Sequence, residues 1–588
     1  MNKLKLLLSV LICFGLSFLF SEMASAQSYI VNPNQTYTYS KMVKDIKKLE
    51  QAYPDLVDAK VIGTSEYGRN IYAVALGKGD ATVFINGSHH AREWITTTVN
   101  MNMIDKYANA YEKGSKINGY DTKKILNSTT IWFIPMVNPD GVTLQQTGLT
   151  SFPKQDHAKL IKMNDGSKNF KRWKANGKGI DLNRQYDARW KYLGGGSVPK
   201  FKNYKGKSPE SAKETQVVLD FVKDTDPEMA ISYHSSGQIL FWKYGQTGSR
   251  YTRDRTHARK ISSMTGYRLI SPSGYTGGGG FSDWFSTVEK KPAYTIEVAP
   301  YAGETHVPIK YFKKIWQENA AIGLYTAQEG AKLYNTEQLA KSKALTTDIQ
   351  TFNKTAKTLS AYYFTSVNKT SDLRITNAQT TLYNKTKQEI TKQEKAIAKL
   401  PKAYQTSANA SLRITKLYRD RYLTYQTAVK AGEGLADTHE ELINALTKGT
   451  LNTKTNSLFT TWKKSTNTTE TKISNMYSKK VRTLAQKKYI APVEKDLPAV
   501  TNLMARYTLL TTIDKQADNK EYEAVKEQLV KLEQLNQQAA AKEKFKQAEA
   551  FLEQWQSEIE QALPVEEPSA EPTEPTPSEE TNEDEIAA

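Results

Sequence analysis

Two side chains that could share one metal ion lie three residues apart, directly after an apolar strand segment. His90 and Glu93 both fall within the stretch Gly87-Ser88-His89-His90-Ala91-Arg92-Glu93-Trp94. Neutral imidazole and ionised carboxylate are good zinc ligands, and a catalytic zinc site takes three protein ligands and keeps a fourth position open. His234 is the best candidate for the third ligand because it ends the apolar run from Met229 to Tyr233. The His-x-x-Glu spacing also arises by chance on solvated turns, so other residues must decide.

Further short motifs follow in order along the chain. They are Asn138-Pro139-Asp140-Gly141, Gly179-Ile180-Asp181-Leu182-Asn183-Arg184, His234-Ser235, and Tyr275, which stands eight residues before Asp283-Trp284, with Glu297 fourteen residues after Asp283. Together with the block from His90 to Trp94, they resemble the zinc carboxypeptidase family. Trp173-Lys174-Ala175-Asn176 and the segment from His234 to Gln238 are most similar to its bacterial branch that includes γ-D-glutamyl-meso-diaminopimelate peptidases.

The resemblance implies a hydrolytic centre with one zinc ion in the catalytic domain. His90, Glu93 and His234 would bind the ion, which would polarise the scissile carbonyl and lower the pKa of a water molecule. Glu297 would take the proton of that water and deliver it to the leaving amine. His89 would be a neighbour and not a ligand, because His90 has the three-residue spacing to Glu93. We therefore expect an enzyme, a zinc metallocarboxypeptidase that hydrolyses peptide bonds.

The same resemblance implies a pocket for the carboxyl end of a substrate. Arg184, with Asn183 beside it, would hold the terminal carboxylate, because a planar guanidinium can donate two hydrogen bonds to it. Tyr275 precedes the glycines from Gly277 to Gly280, which would let its loop bring the phenol over the bound residue. Arg92 would contact the substrate one subsite further in.

Two positions bear on catalysis and specificity. Where most of the family has an arginine that stabilises the oxyanion, this chain has Lys174, which supplies a point charge without the planar fork. Arg172 and Lys178 are alternatives for that role. Side-chain preference in the family is read partly at the position of Ser282, which is neither acidic nor bulky. Such a residue disfavours a simple preference for Lys or Arg and could admit a zwitterionic side chain such as diaminopimelate.

Alternating strand and helix signals over residues 30–332 predict the domain that positions these side chains. We expect strands at Val83 to Asn86, Ile131 to Met136, Met229 to His234 and Tyr294 to Val298, and helices such as Met42 to Ala52 and Ala212 to Val222. This alternation predicts an α/β domain with helices packed on a largely buried sheet, and the resemblance implies a mixed central sheet. The candidate residues lie at the carboxyl ends of the strands, where ligands bind in open α/β sheets.

The composition changes after this domain. Over residues 338–563 glycine is scarce, Lys, Thr, Gln, Ala and Leu dominate, and apolar residues recur at helical spacing, as at Val525, Leu529 and Leu532. These features predict an elongated, lysine-rich, all-α region. Residues 564–588 contain nine acidic residues and no Lys or Arg. With their many prolines they are expected to be a disordered tail, because they cannot form a packed core.

The first 26 residues have the features of a secretory signal peptide. Lys3 and Lys5 precede the apolar run from Leu6 to Phe20, and Ala24-Ser25-Ala26 supplies small residues at the usual cleavage spacing. The run is shorter than the roughly 20 residues of a membrane span, so no span is expected after cleavage; an uncleaved anchor is the alternative. The only cysteine, Cys13, lies in this segment, so disulfides and cysteine metal ligands are excluded from the mature chain. The expected location is secreted, with cell-wall association as an option.

The formal net charge of +19 indicates a polyanionic partner, and outside the acidic tail the chain is more basic still. Nucleic acid, anionic lipid and anionic cell-wall polymers are the candidates. Export favours the wall polymer, and no nucleic acid is expected because no recognisable motif for it is present. A merely solvated lysine face is the alternative. The helical region also resembles lysine-rich wall-polymer-binding domains of surface-layer proteins, at Ser411 to Gly432 and at Met476 to Arg482.

Two functional hypotheses follow. The first is an exported zinc carboxypeptidase that acts on ordinary peptides or on peptidoglycan stem peptides. The second is a non-catalytic cell-wall-binding protein that uses a peptidase fold. The presence of all three candidate ligands together with Glu297 favours the enzyme. The sequence leaves open whether the activity is that of a carboxypeptidase or of a γ-D-glutamyl endopeptidase.

Overall fold

A computed structural model describes residues 29–270 and 277–564. The chain divides into two compact units, one that ends at Ala340 and one that begins at Lys341. The expected signal peptide, Tyr275 and the expected tail beyond Pro564 lie outside the described residues. Within the described ranges, no helix combines the length and the apolar character that crossing a membrane requires.

The first unit alternates strands and helices. Its strands are β1 (Val57–Thr64), β2 (Asn70–Gly77), β3 (Ala81–Gly87), β4 (Lys116–Ile117), β5 (Tyr120–Asp121), β6 (Thr129–Ile134), β7 (Ala230–Ser235), β8 (Ile239–Phe241), β9 (Arg268–Ile270) and β10 (Ala293–Val298). Its helices are α1 (Tyr39–Ala52), α2 (Ile95–Glu112), α3 (Thr122–Ser128), α4 (Pro139–Thr147), α5 (His157–Met163), α6 (Lys213–Thr225), α7 (Gly248–Thr265), α8 (Phe281–Trp284) and α9 (Phe312–Asn319).

Eight of these strands form one mixed sheet in the order β1-β2-β6-β3-β7-β10-β8-β9. The four strands expected from the sequence are β6, β3, β7 and β10, and they lie side by side and parallel in the middle of the sheet. Antiparallel pairing occurs between β1 and β2, between β2 and β6, and between β10 and β8. The predicted α/β domain with a mixed central sheet flanked by helices is therefore confirmed.

Helices cover both faces of the sheet, as the continuous apolar runs of its central strands require. On β3, Val83 and Ile85 join a core that also contains Val99 of α2. Phe84, between them, points to the other face and packs in a second core with Phe221 of α6. Because both faces are buried, polar side chains of the central strands can be accommodated only at the strand ends, where the site forms.

The second unit is all-α, as predicted. The division at Ala340 falls within α10 (Ile322–Lys357), and the helices that follow are α11 (Asn377–Ala398), α12 (Thr406–Thr447), α13 (Thr453–Ser474), α14 (Lys479–Ala485), α15 (Ala491–Asp518), α16 (Tyr522–Gln537) and α17 (Lys546–Ala562). Val525 and Leu532 of α16 are buried and Leu529 packs against the same core, which matches the predicted helical spacing.

Candidate active site and metal centre

Pairing of β3 with β7 brings the three predicted metal ligands together. β3 ends at Gly87, and His90 and Glu93 lie at the short 3-10 turn that follows it directly. Gly87 pairs with Tyr233 of β7, so the next residue of that strand, His234, lies beside the turn. The three side chains are buried, and one potential ligand atom from each lies within 4.8 Å of the others.

The arrangement of these atoms fits a divalent cation. Glu93 Oε1 lies 2.8 Å from His90 Nδ1, and Glu93 Oε2 lies 2.9 Å from His234 Nδ1. The two Nδ1 atoms also face each other at 3.2 Å, so lone pairs converge on one buried point. Such a convergence is unfavourable without a positive charge between the atoms. Two imidazoles and one carboxylate with room for a further ligand are the donor set of a catalytic zinc site, so one zinc ion suits these residues.

Asp181 orients His90 from behind, a role that the sequence analysis did not assign. Its Oδ1 lies 3.1 Å from His90 Nε2, and its Oδ2 accepts a hydrogen bond of 2.9 Å from Lys174 Nζ. Burial alone would raise the pKa of Asp181, but Lys174 and His90 hold it well below its usual range. An ionised Asp181 favours the tautomer in which His90 carries its proton on Nε2 and presents Nδ1 to a metal.

Glu297 lies next to the metal cluster because β10 pairs with β7. In the parallel register of these strands Glu297 is opposite His234. Burial, and then the charge of Glu93, raise the pKa of Glu297 well above its usual range, while Lys174 and Arg92 act in the opposite direction. A carboxylate with a raised pKa beside a metal site is suited to accept and return a proton.

Of the three cationic residues considered for oxyanion stabilisation, Lys174 is the one at the site. It lines the cavity in front of the metal cluster together with His90. Arg172 instead donates hydrogen bonds to Asn164 and Asp165. The Lys178 ammonium lies 4.2 Å from the centre of the Tyr67 ring. Lys174 is therefore the candidate that the geometry favours.

The predicted carboxylate-binding residues line the same cavity, which has a volume of about 390 Å³. Asn183 and Arg184 follow Asp181 in the 3-10 turn Leu182–Arg184. Asn183 Oδ1 accepts a hydrogen bond of 3.1 Å from the backbone N–H of Phe281, which joins this turn to the start of α8. Ser282 also lines the cavity. Glu297 completes its wall, so a carboxylate-binding pair and a proton acceptor face one space.

The structure does not bring Arg92 to this cavity. Its guanidinium donates a hydrogen bond of 3.3 Å to the backbone oxygen of Arg172, and Arg92 is not among the residues that line the cavity. Its predicted contact with a substrate stays a prediction, and so does that of Tyr275, which lies outside the described residues.

Comparisons with known proteins agree with the site. A family model described as Zinc carboxypeptidase matches residues 42–322, and a second, described as SbsC C-terminal domain, matches residues 364–494. Gamma-D-glutamyl-L-diamino acid endopeptidase 1 of Lysinibacillus sphaericus is 34% identical over 304 residues, which cover 51% of this chain and 73% of that protein. Protein YqgT of Bacillus subtilis, described as uncharacterized, is 29% identical over 297 residues, which cover 50% of this chain and 77% of that protein.

Among solved structures, bovine thrombin-activatable fibrinolysis inhibitor in complex with tick carboxypeptidase inhibitor superposes with a TM-score of 0.41 and 21% identity, covering 51% of this chain and 99% of that one. The family match over residues 42–322 contains every ligand of the buried His-Glu-His cluster. This chain belongs to the zinc carboxypeptidase family, whose members are zinc-dependent peptide hydrolases.

Proposed function

We propose that this chain removes a carboxyl-terminal residue from peptides and that peptidoglycan stem peptides are its natural substrates. The observation that carries the proposal is a single cavity lined by the metal ligand His90, by Glu297, and by Asn183 and Arg184. The stem-peptide assignment is supported by the relative named as a γ-D-glutamyl-L-diamino acid endopeptidase, with 34% identity. Bonds between γ-D-glutamyl groups and diamino acids occur in these stem peptides.

Each of these residues has a defined task in the proposed hydrolysis. When bound, zinc supplies Lewis acidity that polarises a carbonyl and acidifies water. Glu297 accepts the proton of the attacking water and passes it to the leaving amine. Lys174 places a positive charge near the oxygen that becomes negative in the transition state. Arg184 and Asn183 hold the terminal carboxylate, which selects chain ends.

Mass spectrometry of digests tests the proposal. The zinc-loaded full chain is incubated with stem peptides and with ordinary peptides of equal length, each with a free or an amidated carboxyl terminus. We expect release of the last residue only from free termini, loss of activity with a chelator, and recovery with zinc. Equal cleavage of amidated peptides would contradict the roles of Asn183 and Arg184. No product from any peptide would favour the non-catalytic wall-binding alternative.

We further propose that the protein is exported and that its helical unit holds it at the cell wall. The basic and apolar pattern of the first 26 residues and the net charge of +19 support this proposal. The test for export is the amino-terminal sequence of the protein recovered outside the cell, which is expected to begin at Gln27. For wall binding, the full chain should sediment with purified anionic wall polymer at salt concentrations that release it from duplex DNA. Stronger retention on DNA would contradict this assignment.

A further inference from the structure

Two charged side chains of the cavity have no task in the proposed hydrolysis. Asp283 and Lys243 both line the space that Arg184 and Glu297 line. Among the described residues, neither the Asp283 carboxylate nor the Lys243 ammonium forms an ion pair, although an ion pair is the usual way to hold a charge in a partly buried place. A cavity that carries one unpaired charge of each sign is suited to a ligand that also carries both.

Asp283 is held at this place by the start of α8. Gly280 is the residue that precedes the helix, and Asp283 is its third residue. The backbone N–H of Gly280 bonds to the carboxylate and lowers its pKa, but burial has the larger effect and raises the pKa to about 7. Capping α8 therefore satisfies only part of this carboxylate. A cation bound in the cavity would stabilise its ionised form.

The neighbouring wall leaves room for a long side chain. Ser282 is only 9% exposed, and its hydroxyl accepts a hydrogen bond of 2.9 Å from Thr295. Ser286 and Ala293 are also small and also line the cavity. The negative charge on this wall thus belongs to Asp283 and not to the adjacent position of Ser282, from which the sequence analysis read the side-chain preference.

We propose that Asp283 binds an ammonium group on the side chain of the residue that hydrolysis releases, and that Lys243 binds a side-chain carboxylate where that residue has one. The chemical class is a diamino acid, with or without a second carboxyl group. This inference rests on the proposed function, because it assumes that the released residue occupies the cavity with its α-carboxylate on Arg184.

The test uses a matched series of substrates on the zinc-loaded full chain. N-acetyl-L-alanyl-γ-D-glutamyl-X is prepared with X as L-lysine or as L-norleucine, which keeps the four-carbon side chain and lacks the ammonium. We expect the wild-type protein to prefer lysine in kcat/KM, and Asp283→Asn to lower the lysine-to-norleucine ratio at least tenfold. Asp121→Asn is the matched control, because it removes the same charge from the residue that caps α3, outside the cavity. An unchanged ratio in Asp283→Asn would overturn the proposal.

The Lys243 part has its own substrate pair. With X as meso-diaminopimelate or L-lysine, only the second carboxyl group differs. Lys243→Gln is expected to lower the diaminopimelate-to-lysine ratio of kcat/KM at least threefold, and a constant ratio would overturn the role of Lys243.

A binding measurement separates this inference from the proposed function and requires no variant. Calorimetry with the wild-type protein, with and without zinc, compares free L-lysine with free L-norleucine. At least tenfold tighter binding of lysine is expected, and equal affinities would overturn the role of Asp283. If lysine binds more tightly but no peptide is hydrolysed, the proposed function fails while the ammonium site stands.

Discussion

Replacing Asp181 with asparagine tests how the metal site is organised. The buried carboxylate accepts hydrogen bonds from Lys174 at 2.9 Å and faces His90 Nε2 at 3.1 Å. Asparagine has nearly the same shape, but it has one acceptor oxygen in place of two and no negative charge. It can therefore keep only one of the two contacts, and it no longer stabilises the tautomer of His90 that presents Nδ1 to zinc.

The expected effect on zinc affinity follows from these contacts. Loss of a hydrogen-bond partner behind a metal-binding histidine weakens metal affinity by about 10- to 100-fold. Because asparagine can still accept one bond, we expect Asp181→Asn to fall near the lower end, about tenfold, which corresponds to about 1.4 kcal/mol. Turnover should fall further than zinc affinity, because Lys174 also loses the carboxylate that positions it.

Competition for zinc against a chromophoric chelator measures the affinity directly. Asp165→Asn is the matched control, since Asp165 also accepts from two cations, Arg172 and Lys200, but lies at the surface away from the metal ligands. Wild-type zinc affinity in Asp181→Asn would refute the view that Asp181 orients His90. Equal weakening in both variants would point to a general effect of net charge.

Three further changes give distinct results. Glu297→Gln should lower kcat at least 100-fold because it removes the proton acceptor, while zinc content measured by atomic absorption stays at one ion per chain; loss of zinc would indicate a structural role instead. Lys174→Met should lower kcat about 100-fold, whereas Arg172→Met should stay within about threefold, and the reverse pattern would move oxyanion stabilisation to Arg172. Burial raises the pKa of Glu214 from 4.5 to about 8, so the native state binds this proton more tightly than the unfolded state and loses stability as the pH rises through that interval. Urea unfolding should therefore show Glu214→Gln gaining about 1.4 kcal/mol per pH unit on wild type over most of the interval, and a constant difference would contradict the raised pKa.

The middle of the sheet could be predicted because its strands are buried on both faces. Their apolar runs, at β6, β3, β7 and β10, stand out from the polar segments around them, and the structure places these four strands next to each other. The outer strands β8 and β9 have three residues each and pair at the sheet edge. Elements this short have no periodicity to detect, and their pairing depends on tertiary contacts.

The metal ligands could be found from the sequence for the same reason. His90 and Glu93 follow one predicted strand closely and His234 lies on another, so the ends of parallel strands were enough to bring them together. Asp181 had no such signal. It lies 91 residues from His90 in the chain and reaches it from an irregular segment. The choice between Lys174 and Arg172 likewise depended on where each side chain finds its partners.

The difference between Ser282 and Asp283 shows where sequence reasoning about specificity reaches its limit. Both residues lie in the first turn of α8 and both line the cavity, so adjacency in the chain does not decide which one a ligand meets. The hydroxyl of Ser282 is engaged by Thr295, whereas the carboxylate of Asp283 has only a backbone N–H of Gly280 beside it. A hydrogen-bonded hydroxyl contributes little to discrimination between charged ligands, but an incompletely paired carboxylate in a buried wall discriminates strongly. Preference for an ammonium group is therefore set by how completely each side chain is satisfied by the protein, which the order of residues alone does not reveal.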